Sequence, residues 1–166
     1  MMDAESYSKR WNLDLVNQIV VALNLGASII PLIQSAFPTA YTTSEGLIDL
    51  RGIDFSHQNL RGPWINTEGT RSRSGVDLHE TDLSGSDLKW AILPRANLKK
   101  SLLINADLRD SELIMADLSG ADLTGADMTR VWLLNTKFHQ AKISSNQLDS
   151  RRCLGQLDFD YHAFEI

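Results

Sequence analysis

Large apolar residues recur at every fifth position through the middle of the chain. Leucines stand at 78, 83, 88, 93, 98, 103, 108, 113, 118 and 123, and Met128, Leu133, Phe138 and Ile143 continue the step. Upstream, Leu50, Phe55, Leu60 and Ile65 keep the same spacing. Two residues before each lies a second regular position, most often Ala, Ser, Thr or Val, as in Ala91, Ser101 and Ala121. The residue between is usually Asp or Asn, as in Asp82, Asp107 and Asp122. A helix does not suit this pattern, because five residues advance about 500° and leave no single buried stripe. A continuous strand does not either, because an odd step alternates between faces. The small residue and the leucine are two apart, so both point the same way along a short strand. The chain must then turn before the next unit. Short sides joined by regular turns, with the same pair always inward, make a solenoid.

The run ADLRDSELIMADLSGADLTGADM resembles the pentapeptide-repeat family, whose consensus is A(D/N)LXX. The resemblance extends over residues 48–143. It implies a mainly β fold, a right-handed quadrilateral β-helix in which four pentapeptides close one coil. Eighteen units then predict about four and a half coils, roughly 20 Å tall at strand spacing. The predicted organisation is an N-terminal apolar helical segment (1–45), the β-helix (46–143) and a C-terminal capping helix with its tail (144–166).

The period breaks once. Ile65 and Leu78 are thirteen apart, which places a loop of eight extra residues within 66–76. Gly69, Gly75, Ser72 and Ser74 suit a loop. Arg71 and Arg73 make it basic and are candidate contacts for a partner, beside the plainer reading of a solvated excursion. The resemblance adds that such loops occur in relatives protecting DNA gyrase from quinolones.

Stacking residues twenty apart separates three polar faces from one apolar face. The apolar face gathers Trp64, Ile92, Trp132, Pro94, Ile114, Leu134 and Met115, with Trp90 at its corner. An apolar patch of that extent calls for a cover. The candidates are the chain's own N-terminal segment, a second copy or a foreign partner.

No residue between Asp14 and Glu45 is charged. Trp11, Leu15, Ile19 and Leu23 fit a helix that Gly26 ends, with a second short helix between Ser28 and Pro38. Three roles compete for this segment: a cap on the solenoid or a cover for its tryptophan face, a membrane anchor through residues 19–37, or a helical dimerisation element. At the other end, Asn146–Leu154 suits a short helix capped by Ser144 or Ser145. Leu157, Phe159 and Tyr161 then alternate as in a packed tail.

Charge narrows the function classes. The chain is net −5, yet residues 46–143 hold thirteen acids against twelve bases. That balance disfavours a nucleic-acid binder and weighs against an acidic mimic of DNA. A lone Cys153 excludes an intrachain disulfide and fits a reducing, cytoplasmic setting, with membrane association as the alternative. No catalytic, metal-binding or cofactor-binding pattern stands out. His79 and His139 fall in one column but about 14 Å apart, too far to share a metal. The expected function is a non-enzymatic protein-interaction or scaffold module of bacterial type, with a protein partner and a homodimer in view. The alternatives are a DNA-mimicking binder of type II topoisomerase, as the resemblance allows, and a membrane-tethered scaffold.

Overall fold

The repeat residues make their own turns. In units with a central Asp, its side chain accepts the backbone N–H two residues on: Asp82 Oδ1 from Ser84 at 3.0 Å, Asp87 from Lys89 at 3.0 Å, and Asp117 from Ser119 at 3.1 Å. The carbonyl of the inward residue then accepts the N–H three residues on, as Leu83 does from Ser86 at 3.1 Å and Leu118 from Ala121 at 3.0 Å. The second residue between them takes positive φ, 56° at Asn105, 72° at Gly120 and 59° at Arg130. Positive φ at that place identifies a type II turn. Asp and Asn are favoured before the leucine because a carboxylate or amide oxygen satisfies a turn N–H that the next strand cannot reach.

A computed structural model describes residues 11–38, 42, 47–51, 53–55, 58–62, 64–67 and 70–148. The turns stack the chain into a β-helix with a twenty-residue period. Parallel bridges join Asp77 to Asn97, Asp87 to Asp107, Ile92 to Glu112 and Asp107 to Asp127, and the ladder runs on to Asp122 with Lys142. Inside, the leucines of the five-residue step from Leu78 to Leu133 are buried, and Ala91, Ala96, Ala106, Ala116 and Ala121 fill the space between them. Each buried leucine contributes about 1.5–3 kcal/mol. Because every coil rests on its neighbours, these contributions act together.

The first coil sits one full period before the second but thirteen residues further back in sequence. Asp54 bridges Asp87 and Asn59 bridges Ile92, and β1 (Ile48–Asp49) pairs with β4 (Thr81–Asp82) in the same offset. The extra residues form an antiparallel hairpin of β2 (Trp64–Thr67) and β3 (Thr70–Arg73), with Trp64 opposite Arg73 and Asn66 opposite Arg71. This corrects the expected register. Ile65 is not the next inward residue; it pairs with Ser72 in the hairpin, and Leu78 follows Leu60 into the core. The excursion therefore begins at Gly62 and ends at Gly75, whose N–H closes the neck on the Arg61 carbonyl at 3.2 Å. Apolar spacing alone counted Ile65 as a repeat because a strand of a hairpin also presents an isolated isoleucine between polar residues.

Two helices close the open end of the first coil. α1 (Leu13–Leu25) begins at Asn12, whose side chain accepts the Leu15 N–H, and ends at Gly26 in the left-handed region. α2 (Ile30–Ala36) follows, with Pro31 in its first turn. Leu15, Val16, Ile19, Leu23, Ile29 and Ile33 join Leu50, Ile53, Phe55 and Leu60 in one continuous core. Polar contacts fix the seating. Trp11 Nε1 donates to the Arg51 carbonyl at 2.9 Å, Asn24 Nδ2 donates to the Asn59 carbonyl at 2.6 Å, and Asn24 Oδ1 accepts the Gly62 N–H at 3.0 Å. Residues 19–37 are thus two helices split at Gly26. Among the described residues no helix is long and apolar enough to cross a membrane.

At the other end the Gln147 side chain holds Ser144: Gln147 Oε1 accepts the Ser144 N–H and hydroxyl at 2.9 Å each. The same amide donates to the Leu123 and Ala126 carbonyls at 2.7 and 2.9 Å, tying the turn to the coil below. The rest of the expected helix over 146–154, with Cys153, and the tail residues Leu157, Phe159 and Tyr161 lie outside the described residues.

Candidate protein-interaction face

The twenty-residue period decides which side chains share a surface. One face carries Asp87, Asp107 and Asp127 beside Lys89 and Arg109. Lys89 Nζ lies 2.9 Å from Asp87 and 3.8 Å from Asp107, and Arg109 is bidentate on Asp107 at 2.8 and 2.6 Å. Arg109, by its hydrogen bonds, holds the Asp107 carboxyl below the usual carboxylate range, against a smaller upward push from burial. On another face Lys142 reaches Asp122 at 3.1 Å, and on a third Lys99 reaches Asp117 at 3.3 Å. Burial pushes both carboxyls up, but hydrogen bonds from Thr124 and Lys142, and from Ser119 and Lys99, bring each below its ordinary value. The acidic columns are therefore neutralised where they stand.

The fourth face is mostly apolar, with Glu112 at its centre. Its bridge column is Ile92, Glu112 and Trp132, and the next column is Pro94, Ile114 and Leu134. Trp90 stands at one corner, stacked with Asp110 and Arg130; Met115 stands at the other, between Arg95 and Asn135. Trp132 is 50% exposed, Trp90 52%, Met115 42% and Leu134 39%, while Ile92 and Ile114 are half-buried. Arg130 binds Asp110 through Nη2 at 2.6 Å, so the corner nearest Trp90 is closed by a paired charge, and Arg130 lowers the Asp110 pKa. Flat apolar area between charged corners is the composition of an interface with a polar rim.

The structure brings Trp90, Ile92, Ile114, Met115, Trp132 and Leu134 together on this side. Trp64 is the first residue of β2 in the hairpin, at the register position opposite Arg73. Arg71 and Arg73 lie in β3, at register positions opposite Asn66 and Trp64. Of the candidate covers for this face, α1 and α2 are not one: they sit on the end of the first coil, the capping alternative, and leave Trp90 and Trp132 exposed. The physical reason is that the open coil end offers Leu50, Ile53, Phe55 and Leu60, a deeper apolar seat than a flat face does. Asn24 is the amide that fastens the cap.

Among the described residues no group of three or more His, Cys, Asp or Glu is placed to hold a metal. His79 Nδ1 lies 2.7 Å from Asp77 Oδ1, a surface pair within one repeat.

The family model described as Pentapeptide repeats matches eight copies within residues 74–110, 91–130 and 101–140. Among solved structures the chain is similar to HetL, a pentapeptide repeat protein involved in heterocyst differentiation regulation from the cyanobacterium Nostoc sp. strain PCC 7120. That match has 24% identity and a TM-score of 0.43, covering 58% of this chain and 40% of HetL. A pentapeptide repeat protein of the Arabidopsis thaliana thylakoid lumen matches at 29% identity and a TM-score of 0.28, covering 58% of this chain and 55% of that one. QnrB1, a plasmid-mediated fluoroquinolone resistance protein, matches at 19% identity and a TM-score of 0.34, covering 62% and 54%. The chain thus spans about half the length of these relatives, or less. No curated protein matches the chain significantly.

Proposed function

Because the chain is a pentapeptide-repeat protein over residues 74–140, we propose that it works as a rigid, non-enzymatic interaction module. Its docking surface is the face of Ile92, Ile114, Met115, Trp132 and Leu134 with Trp90 at the corner. The observation behind this reading is the exposure of two tryptophans, a methionine and a leucine on one side of a β-helix whose described polar faces are ion-paired. Tryptophan is the residue most often found as an interface anchor, and a flat β-face holds it without reorganisation on binding. The paired acids also speak against the DNA-mimic reading, since Lys89, Arg109, Lys99 and Lys142 cancel the field that such mimicry needs.

The test compares affinity capture by the wild-type chain with capture by Trp132→Asp/Leu134→Asp. The expected result is a defined set of proteins lost with the variant while its melting temperature stays within about 2 °C of wild type, as for exposed positions. Capture of the same set by both proteins refutes this face as the docking surface.

A further inference from the structure

A second exposed apolar surface lies on the outside of the N-terminal cap. Seen down α1, the buried residues Leu15, Val16, Ile19 and Leu23 occupy one side, and Val21 and Leu25 point directly away from them. Val21 is 57% exposed and Leu25 72%, and Leu13 at the start of the helix is 73% exposed. Between α1 and α2, Val21, Ala22, Leu25 and Leu32 line a groove of about 450 Å³ with Asn17 and Gln18 at its edge. The cap's folding does not account for these residues, since the seat on the first coil uses the opposite side of the helix.

We propose that two copies of the chain associate through this outer face, α1 against α1 about a two-fold axis. The argument is one of charge and self-complementarity. A two-fold contact sets each group against a copy of the same surface, so a charge there meets its like, whereas aliphatic groups and amides match themselves. Asp14 is the single charged residue between Trp11 and Pro38. It is exposed on the same stripe as Val21 and Leu25, with Gln18 2.7 Å away. The contact is therefore antiparallel and centred on Val21 and Leu25, which keeps the two Asp14 carboxylates about 20 Å or more apart. The remaining groups at the groove are aliphatic side chains and the amides of Asn17 and Gln18. A chain of net −5 can approach its copy with least repulsion there. A charged partner gains no ion pair on this surface, and a membrane-surface helix has basic residues on its polar flank, which this one lacks.

Size sets the strength. α1 has 13 residues and is about 20 Å long. α2, with 7 residues and about 10 Å long, lies beside it at about 9 Å, so the outer face measures on the order of 300 Å². Covering it on both copies removes about 600 Å² in all, the size of a weak, transient contact. The dimer is therefore weak and concentration-dependent. It joins the capped ends of two solenoids and leaves both tryptophan faces open, so the proposal does not rest on the docking face.

Sedimentation velocity of the full chain without detergent, from about 5 to 200 µM, reads the association. The expected result is a monomer–dimer equilibrium. Val21→Asp/Leu25→Asp then raises the dissociation constant about 100-fold or more because an unpaired charge is buried at the contact, with the melting temperature kept. Trp132→Asp/Leu134→Asp leaves the dimer intact. Independently, Val21→Cys in a Cys153→Ser chain forms an intermolecular disulfide under mild oxidation, since residues near the axis bring their Cα atoms within about 7 Å. A wild-type chain that stays monomeric throughout overturns the proposal. So does a dimer lost with Trp132→Asp/Leu134→Asp but kept with Val21→Asp/Leu25→Asp. Binding of the monomer to phosphatidylcholine vesicles that Val21→Asp/Leu25→Asp abolishes overturns it in favour of a lipid surface.

Discussion

The return of the chain from the hairpin makes a sharp demand on Gly75. Gly75 and Gly85 both occupy turn corners with positive φ, 83° and 66°. A Cβ built on Gly85 meets nothing within 4 Å, whereas one on Gly75 lies 2.1 Å from the Arg95 carbonyl oxygen and 2.3 Å from its carbon. Positive φ costs alanine about 1 kcal/mol, and the less flexible unfolded chain returns about 0.4–1 kcal/mol. Gly85→Ala is therefore expected to change stability by less than about 1 kcal/mol. At Gly75 the overlap is with backbone that cannot swing aside: the Arg95 N–H is bonded to the Ile114 carbonyl at 2.8 Å, and the Ala96 N–H to the Leu93 carbonyl at 3.2 Å. Relieving it must shift a coil, at a cost of about 3 kcal/mol or more. In a chain of this size that is about 6–12 °C in melting temperature. Thermal melts of Gly75→Ala and Gly85→Ala, followed by circular dichroism side by side, measure the difference. If the two variants melt within about 2 °C of each other, the chain does not re-enter the coil at Gly75 as described.

Other expectations follow from the same geometry. Leu108→Arg abolishes cooperative folding, because Leu108 is fully buried and the core offers a charge no partner; a wild-type melting point would refute the register. Ser111 Oγ is buried with no hydrogen-bond partner among the described residues, whereas Ser101 Oγ donates to the Leu98 carbonyl at 2.7 Å. Ser111→Ala should therefore stabilise by about 0.5–1.5 kcal/mol and Ser101→Ala should not, as denaturant titration will tell. The carboxyls of Asp107, Asp110, Asp117 and Asp122 titrate below their ordinary value in the fold. On acidification the unfolded chain takes up these protons first, so the melting temperature holds above about pH 5 and falls as pH drops through 4 and below. A gyrase supercoiling assay with micromolar protein is expected to show neither inhibition nor quinolone protection.

The five-residue period made the solenoid and its inward residues legible, because each unit repeats the same local chemistry: a small residue, a turn-capping Asp or Asn, and a leucine. Leu78 to Leu133 are buried as that pattern demands. The helices were legible too, from Gly26 and the spacing of Leu15, Ile19 and Leu23. Three things were not. The excursion was misjudged by five residues because Ile65 satisfies the period while belonging to a hairpin, and the bridges of Asp54 with Asp87 and of Asn59 with Ile92 reveal the true offset. The seat of the helices depended on a competition between two apolar surfaces that composition does not rank. The groove of Val21, Leu25 and Leu32 escaped notice because α1 is apolar nearly all round, and its spacing does not say which side meets the coil.

The corners explain how such a fold acquires a surface of its own choosing. Ten non-glycine residues in the described chain hold positive φ, and the corner requires only a turn there. Asn105 and Asn135, or Gly85, Gly120 and Gly125, are the inexpensive occupants, since Asn and Gly accept the left-handed region most readily. Trp90 and Met115 are the costly ones: each is a bulky side chain at φ 60°, and each leaves much of its apolar surface in water. Neither backbone preference nor burial places them there, whereas an anchor for a partner gains from a rigid, outward corner. Trp90→Asn is thus expected to leave the melting temperature unchanged or raise it by the equivalent of about 1 kcal/mol, while weakening capture through the Trp132 face. A drop of several degrees with capture intact would make Trp90 a structural residue and return the docking surface to Trp132 and its neighbours alone.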